Sequence, residues 1–98
     1  MSTACSAPLP RFEEFERDAR ARGYDEVLER RWPPGRVVDT HGHPFVADAL
    51  VVQGEMWLTV GTGTRHLRSG DTFHLERDEP HAERYGAEGA IYWVARRS

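Results

Sequence analysis

The sequence predicts a small all-β domain, a sandwich or barrel, preceded by a short N-terminal α-helix. Three observations predict it. From Gly35 onward, short segments rich in Val, Leu, Thr and aromatic residues follow one another: "RVVDTHGH", "ADALVVQ", "EMWLTV", "TRHLR", "DTFHLE", "HAERY" and "GAIYWVARR". Turn signals separate them at His43–Pro44, Gly54, Gly61–Gly63, Ser69–Gly70, Asp78–Pro80 and Gly86–Gly89. Short strands punctuated this way argue a sandwich or barrel. A chain of 98 residues also has room for one core and not for two.

Taken in order, residues 1–9 read as a flexible tail. Residues 10–98 read as a single domain, with the helix over 10–23 and the β region over about 26–97. Pro10 suits the first helical position, where its missing N–H costs nothing. Phe12, Phe15 and Ala19 recur at helical spacing as core anchors, and Gly23 can end the helix in the left-handed region. "DEVLERRW" fits either period; as a strand it puts Leu28, Arg30 and Trp32 on one face. "PPG" at Pro33–Gly35 stops whatever precedes it.

Composition excludes several classes. The net charge is -3, and all 13 basic residues are Arg, scattered among 16 acids, so no basic face for nucleic acid is legible. No run approaches the roughly 20 apolar residues of a membrane span. The N-terminus lacks the charged and apolar regions of a signal peptide. Cys5 is alone, so it forms no internal disulfide and reads as an ordinary thiol. The expected compartment is the cytoplasm.

The chemistry starts at "THGHP". His41 and His43 are i and i+2, which on a strand places both imidazoles on one face. His81 follows a turn, "RDEP", that can bring its strand beside the first. Three neutral imidazoles with an open position form a catalytic-type metal site. On spacing alone, H-x-H is as compatible with two loop histidines.

From "DTHGHPF" onward the chain resembles the cupin superfamily, over roughly residues 35–95. Gly35, five residues, His41, His43 and the closing Gly54 match the first cupin motif, and "SGDTFHLERDEPHAE" looks like the second. The helix and "GYDEVLERRW" look like the lead-in of small single-domain bacterial cupins. The resemblance implies a jelly-roll barrel, that is, a small double-stranded β-helix, with His41, His43 and His81 as ligands of a divalent metal such as Fe, Mn, Ni or Zn.

The departures from the motif are specific. The family's Glu falls on Ala47; Asp48, one residue later, reaches the metal only if the strand carries a bulge. The second motif lacks its P-x-G and its final Asn. Glu83 shares strand parity with His81 and is a candidate carboxylate beside the histidines, or a residue behind them. His74 is a further candidate behind the ligands, and His66 reads as solvent-facing. Cupin interiors hold an apolar pocket above the metal, and Phe45, Trp57, Phe73, Tyr85 and Trp93 are the expected lining, with only one of Tyr92 and Trp93 able to look inward.

The resemblance implies a metal-binding barrel with a pocket for a small molecule, and an enzyme of dioxygenase or isomerase type is one outcome. The alternatives are a non-catalytic sensing module like those of sugar-responsive regulators, or a structural dimerisation barrel. A homodimer is expected in each case, with neither nucleic acid nor membrane as partner.

Overall fold

The computed structural model describes residues 9–98; the expected tail over residues 1–9, with Cys5, lies outside them except for Leu9. The elements are α1 (Phe12–Ala21), β1 (Glu26–Trp32), β2 (Val37–His41), β3 (Val46–Val60), β4 (Gly63–Arg68), β5 (Thr72–Leu75) and β6 (His81–Arg97). All six strands join one antiparallel sheet in the order β1-β6-β3-β4, with β2 added to β6 and β5 to β3. The sheet curls into a jelly-roll barrel.

The helix begins at Phe12, two residues later than a helix opened by Pro10. Arg11 is the N-cap, so Pro10 precedes the helix instead of opening it. The Glu14 carboxylate accepts from the Arg11 N–H at 2.8 Å, and Glu13 and Glu14 place negative charge in the first turn, where the helix dipole favours it. At the other end Gly23 takes φ +97, with Tyr24 N–H bonded to Ala19 and Gly23 N–H to Arg20: a Schellman ending. The apolar side of α1 lies on the outer face of the sheet. Ala19, Tyr24, Val46 and Ala95 are buried there, and Phe12 and Phe15 pack on Trp93 at ring distances of 5.4 and 5.8 Å.

Two expected turns are absent. Gly54 and Gly86–Gly89 do not end strands; they bend two long ones. Across them β3 and β6 stay paired, with register shifts at Val51/Gln53 and Gly54/Met56. Gly54 has φ +77, and a Cβ on it would lie 2.1 Å from the Gly89 carbonyl oxygen. Gly89 has φ +73, and its Cβ would lie 2.3 Å from the Trp32 carbonyl oxygen. Three backbones therefore touch at this corner, which only glycine permits. The bend lets each long strand serve both ends of the barrel: β6 pairs with β2 through residues 81–84 and with β1 through residues 90–96.

The bend also reverses parity. Ala47, Ala49 and Val51 face the core before it on β3, but Met56 and Leu58 do so after it. On β6 the inward set steps from Tyr85 to Ala90, Tyr92 and Val94. Leu28 and Trp32 of β1 pack against the same core, as expected for a strand.

A candidate metal centre at the mouth of the barrel

His41 closes β2 and lies opposite His81, the first residue of β6, in the strand register. His43 is not on the strand: it stands in the loop before β3. The loop is pinned by the Asp78 N–H, which donates to the His43 carbonyl at 2.7 Å. Gly42 fits against that same turn, where a Cβ would come within 3.2 Å of the Asp78 carbonyl oxygen. A non-glycine residue at φ +61, Asp78, shapes the turn that delivers Pro80 and His81. His43 is held from the other side by Phe45, stacked at 4.9 Å with an interplanar angle of 7°.

One ring nitrogen from each of His41, His43 and His81 lies within 4.8 Å of the others. The hydrogen-bond network assigns two tautomers. His41 Nδ1 is 2.8 Å from the Asp39 carbonyl and His81 Nδ1 is 3.0 Å from the Glu79 carbonyl. A carbonyl only accepts, so each Nδ1 carries the proton, and in the neutral rings each Nε2 offers a lone pair. Those Nε2 atoms converge. His41 Nε2 is 3.2 Å from His43 Nε2. His81 Nε2 is fully buried and has no hydrogen-bond partner among the described residues. Burial, followed by the positive charges that His41 and His81 would carry, pushes the His43 imidazole below its usual pKa, favouring the neutral form a metal requires.

A carboxylate lies beside the cluster. Glu83, 7% exposed, puts Oε2 3.2 Å from His81 Nε2 and 3.7 Å from His41 Nε2. The short distance to His81 is a close approach without hydrogen-bond geometry, so it leaves His81 Nε2 unpartnered. The other oxygen, Oε1, accepts from the Tyr85 hydroxyl. Tyr85 is buried and stacks on Trp32 at 5.1 Å, which fixes the donor behind the carboxylate. Ala47, at the position of the motif's Glu, lines the same cavity from another wall. Three imidazoles, one of them with an orphaned buried Nε2, and a neighbouring carboxylate oxygen are a donor set that fits a divalent cation.

Beside the cluster is a cavity of about 40 Å³, walled by Arg30, Phe45, Phe73, Leu75, Tyr92 and Val94 among others. Phe45, Phe73 and Glu83 line it; Tyr85 stands behind Glu83. The other expected residues are elsewhere. Asp48 points to the outer face and pairs with Arg22 at 2.9 Å, because the regular strand turns it away from Ala47. His74 neighbours Asp48 on that face and bonds Glu76 at 2.9 Å. Trp57 lies outside, stacked on His66 at 4.6 Å under the Arg84 guanidinium. Trp93 lies under α1, its indole N–H donating to Glu29 at 3.0 Å. Tyr92, not Trp93, looks inward. Sequence reasoning missed Tyr92 and Arg30 as wall residues; the β1 parity of Leu28, Arg30 and Trp32 was the available signal. A second cleft of about 480 Å³, between Gly54, Arg68 and Glu88, shares no residue with the histidine site.

Fold and site together define a cupin-type barrel. The AraC-like ligand binding domain family matches residues 23–95, and the chain belongs to that family. Among curated relatives, the H2HPP isomerase of Bacillus subtilis is 34% identical over 82 residues, covering 79% of this chain and 35% of that protein. An uncharacterized HTH-type transcriptional regulator of Haemophilus influenzae is 45% identical over 38 residues, covering 39% of this chain and 13% of that protein. The chain thus spans about a third or less of the length of these relatives. Among solved structures, the DMSP lyase of Ruegeria pomeroyi superposes with a TM-score of 0.64 at 26% identity, over 74% of this chain and 36% of that one. An RmlC-like cupin of Shewanella frigidimarina superposes with a TM-score of 0.64 at 19% identity, over 74% of this chain and 65% of that one, which shows the shared fold.

Proposed function

We propose that the chain is a metal-binding cupin barrel in which His41, His43 and His81 hold one divalent cation, Glu83 supplies a fourth donor, and a small molecule binds alongside. The observation that carries this reading is the convergence of Nε2 atoms on one point, with that of His81 buried and unpartnered. A cation among them satisfies such lone pairs together. The backbone carbonyls of Asp39 and Glu79 orient the rings, as metal-bound histidines require of their outer partners. Bound there, a divalent cation supplies Lewis acidity to an oxygen-bearing ligand. Glu83 would hold a negative charge beside that ligand, and Tyr85 would fix its direction. An isomerase-type proton transfer is the reaction class favoured, since it needs a placed carboxylate and is the activity in the name of the Bacillus subtilis relative.

The test is elemental analysis of tag-free protein after exposure to Fe, Mn, Ni and Zn salts. One equivalent per chain is expected, falling to none in His81→Ala and sharply in His43→Ala, whose half-exposed position tolerates truncation. A folded wild-type protein that retains no metal overturns the reading. A second reading, a ligand-sensing module without chemistry, is favoured by the family itself and by the regulator relative; ligand-induced stabilisation that ignores metal would select it.

A further inference from the structure

We infer that the cavity beside the histidines takes a small organic anion, held through its carboxylate by the guanidinium of Arg30. The inference rests on the barrel-mouth site proposed above, which it deepens by naming a ligand class. Arg30 sits in the middle of β1, on the inward face with Leu28 and Trp32, directly opposite the inward Tyr92. Its guanidinium lies 4.9 Å from the Trp32 ring centroid, and it shares the cavity wall with His43, His81 and Glu83. Among the described residues the Arg30 side chain makes no ion pair and no hydrogen bond.

That lack of a partner singles it out between the two arginines of the cavity wall. Arg96, the other cation on the wall, is bound to Glu26 and lies over the Phe45 ring. Arg20, Arg22 and Arg31 pair with carboxylates on the surface. A half-buried inward cation without a counter-ion loses hydration, which the face of the Trp32 ring offsets only in part. The one carboxylate in the cavity, Glu83, is directed at the histidines and Tyr85 instead. With Arg96 paired to Glu26, the charges of Arg30 and Glu83 balance, and a bound divalent cation makes the cavity net positive. The planar fork of a guanidinium matches a carboxylate with two parallel hydrogen bonds.

The lining narrows the class. Leu75, Tyr92 and Val94 give apolar walls, and the Arg30 guanidinium stands among them beside the histidines and Glu83, so a carboxylate head is placed there and the remainder of the ligand lies toward the mouth. The aromatic rings of Phe45 and Phe73 set an apolar edge there.

The test is calorimetric titration of the metal-loaded and of the metal-free protein with acetate and malonate, against the neutral isosteres acetamide and malonamide. The acids are expected to bind and the amides not. Arg30→Gln is expected to weaken the acids at least tenfold with metal stoichiometry unchanged, and Arg30→Lys, which keeps charge without the fork, to fall between. Arg36→Gln, an exposed arginine that also approaches Trp32 but does not line the cavity, is expected to bind as wild type. Wild-type protein that binds neither acid, or Arg30→Lys and Arg30→Gln proteins that bind as wild type, would overturn the inference. Acid binding that persists in a protein retaining no metal, and is lost in Arg30→Gln, would leave the anion site standing while the metal reading fails.

Discussion

Replacing Tyr85 by Phe isolates one hydrogen bond at the candidate centre. The ring stays, with its stack on Trp32 at 5.1 Å, and only the hydroxyl that reaches Glu83 is lost. Both residues are buried, at 1% and 7% exposure, so water cannot replace the donor without rearrangement. A hydrogen bond to a charged acceptor contributes about 1.5–3 kcal/mol, and losing the donor alone strands the acceptor. Taking about 2 kcal/mol, and about 4–8 °C per kcal/mol for a domain of this size, the melting temperature of metal-free protein should drop by about 8–16 °C. Metal affinity should fall by about 10–100-fold, the usual effect of removing an outer partner of a ligand. The cycle with Glu83→Gln should show coupling, the double variant costing less than the sum of the singles. A Tyr85→Phe protein that melts within about 2 °C of wild type, a shift below about 0.5 kcal/mol on the same scale, refutes the reasoning; so does strict additivity.

Three further outcomes are expected. Gly54→Ala should cost at least twice what Gly61→Ala costs, because both have φ above +60 or at it but only the first drives a Cβ into backbone, 2.1 Å from the Gly89 oxygen. The Gly61 change sets the conformational part, roughly 1–2 kcal/mol; equal denaturant midpoints for the two variants would show that the corner yields. Asp48→Asn should leave metal content unchanged and cost at most about 1 kcal/mol through the half-exposed pair with Arg22; loss of metal in that variant would return Asp48 to the site. Burial, before the neighbouring groups, raises the phenol pKa of both Tyr85 and Tyr92 in the fold. The folded state then holds these protons more tightly than the unfolded chain, so their stabilisation is complete below about pH 10 and is lost as pH rises beyond it. Denaturant midpoints at pH 8 and pH 11 test this, and a midpoint that does not fall would contradict it.

Much of this was legible in the chain. The three histidines, the strand segments, the left-handed Gly23 and the parity of Leu28 with Trp32 all follow from local spacing. Two pocket assignments failed for one shared reason. Carrying the inward parity of Ala47, Ala49 and Val51 along β3 turns Trp57 inward, and carrying that of His81, Glu83 and Tyr85 along β6 turns Trp93 inward. The bends at Gly54 and at Gly86–Gly89 reverse both. A glycine reads in sequence as a strand end, and nothing local distinguishes that from a bend at which three backbones meet. The carboxylate question has the same origin: the motif's position holds Ala47, while Glu83 comes from a strand whose neighbour is set by long-range pairing.

That pairing has a consequence for how the molecule comes into being. β6 is the strand to which β1, β2 and β3 all attach, and its partners include Glu26, 70 residues away from Arg96. No sheet joining β1 to β3 exists until β6 is in place. Such distant pairing is the mark of slow folders, on the scale of milliseconds to seconds. His81 and Glu83 ride on that same strand, so the donor set assembles only as the barrel closes. A cation that binds the finished set should therefore slow the opening of the barrel and leave the rate of its closing almost untouched.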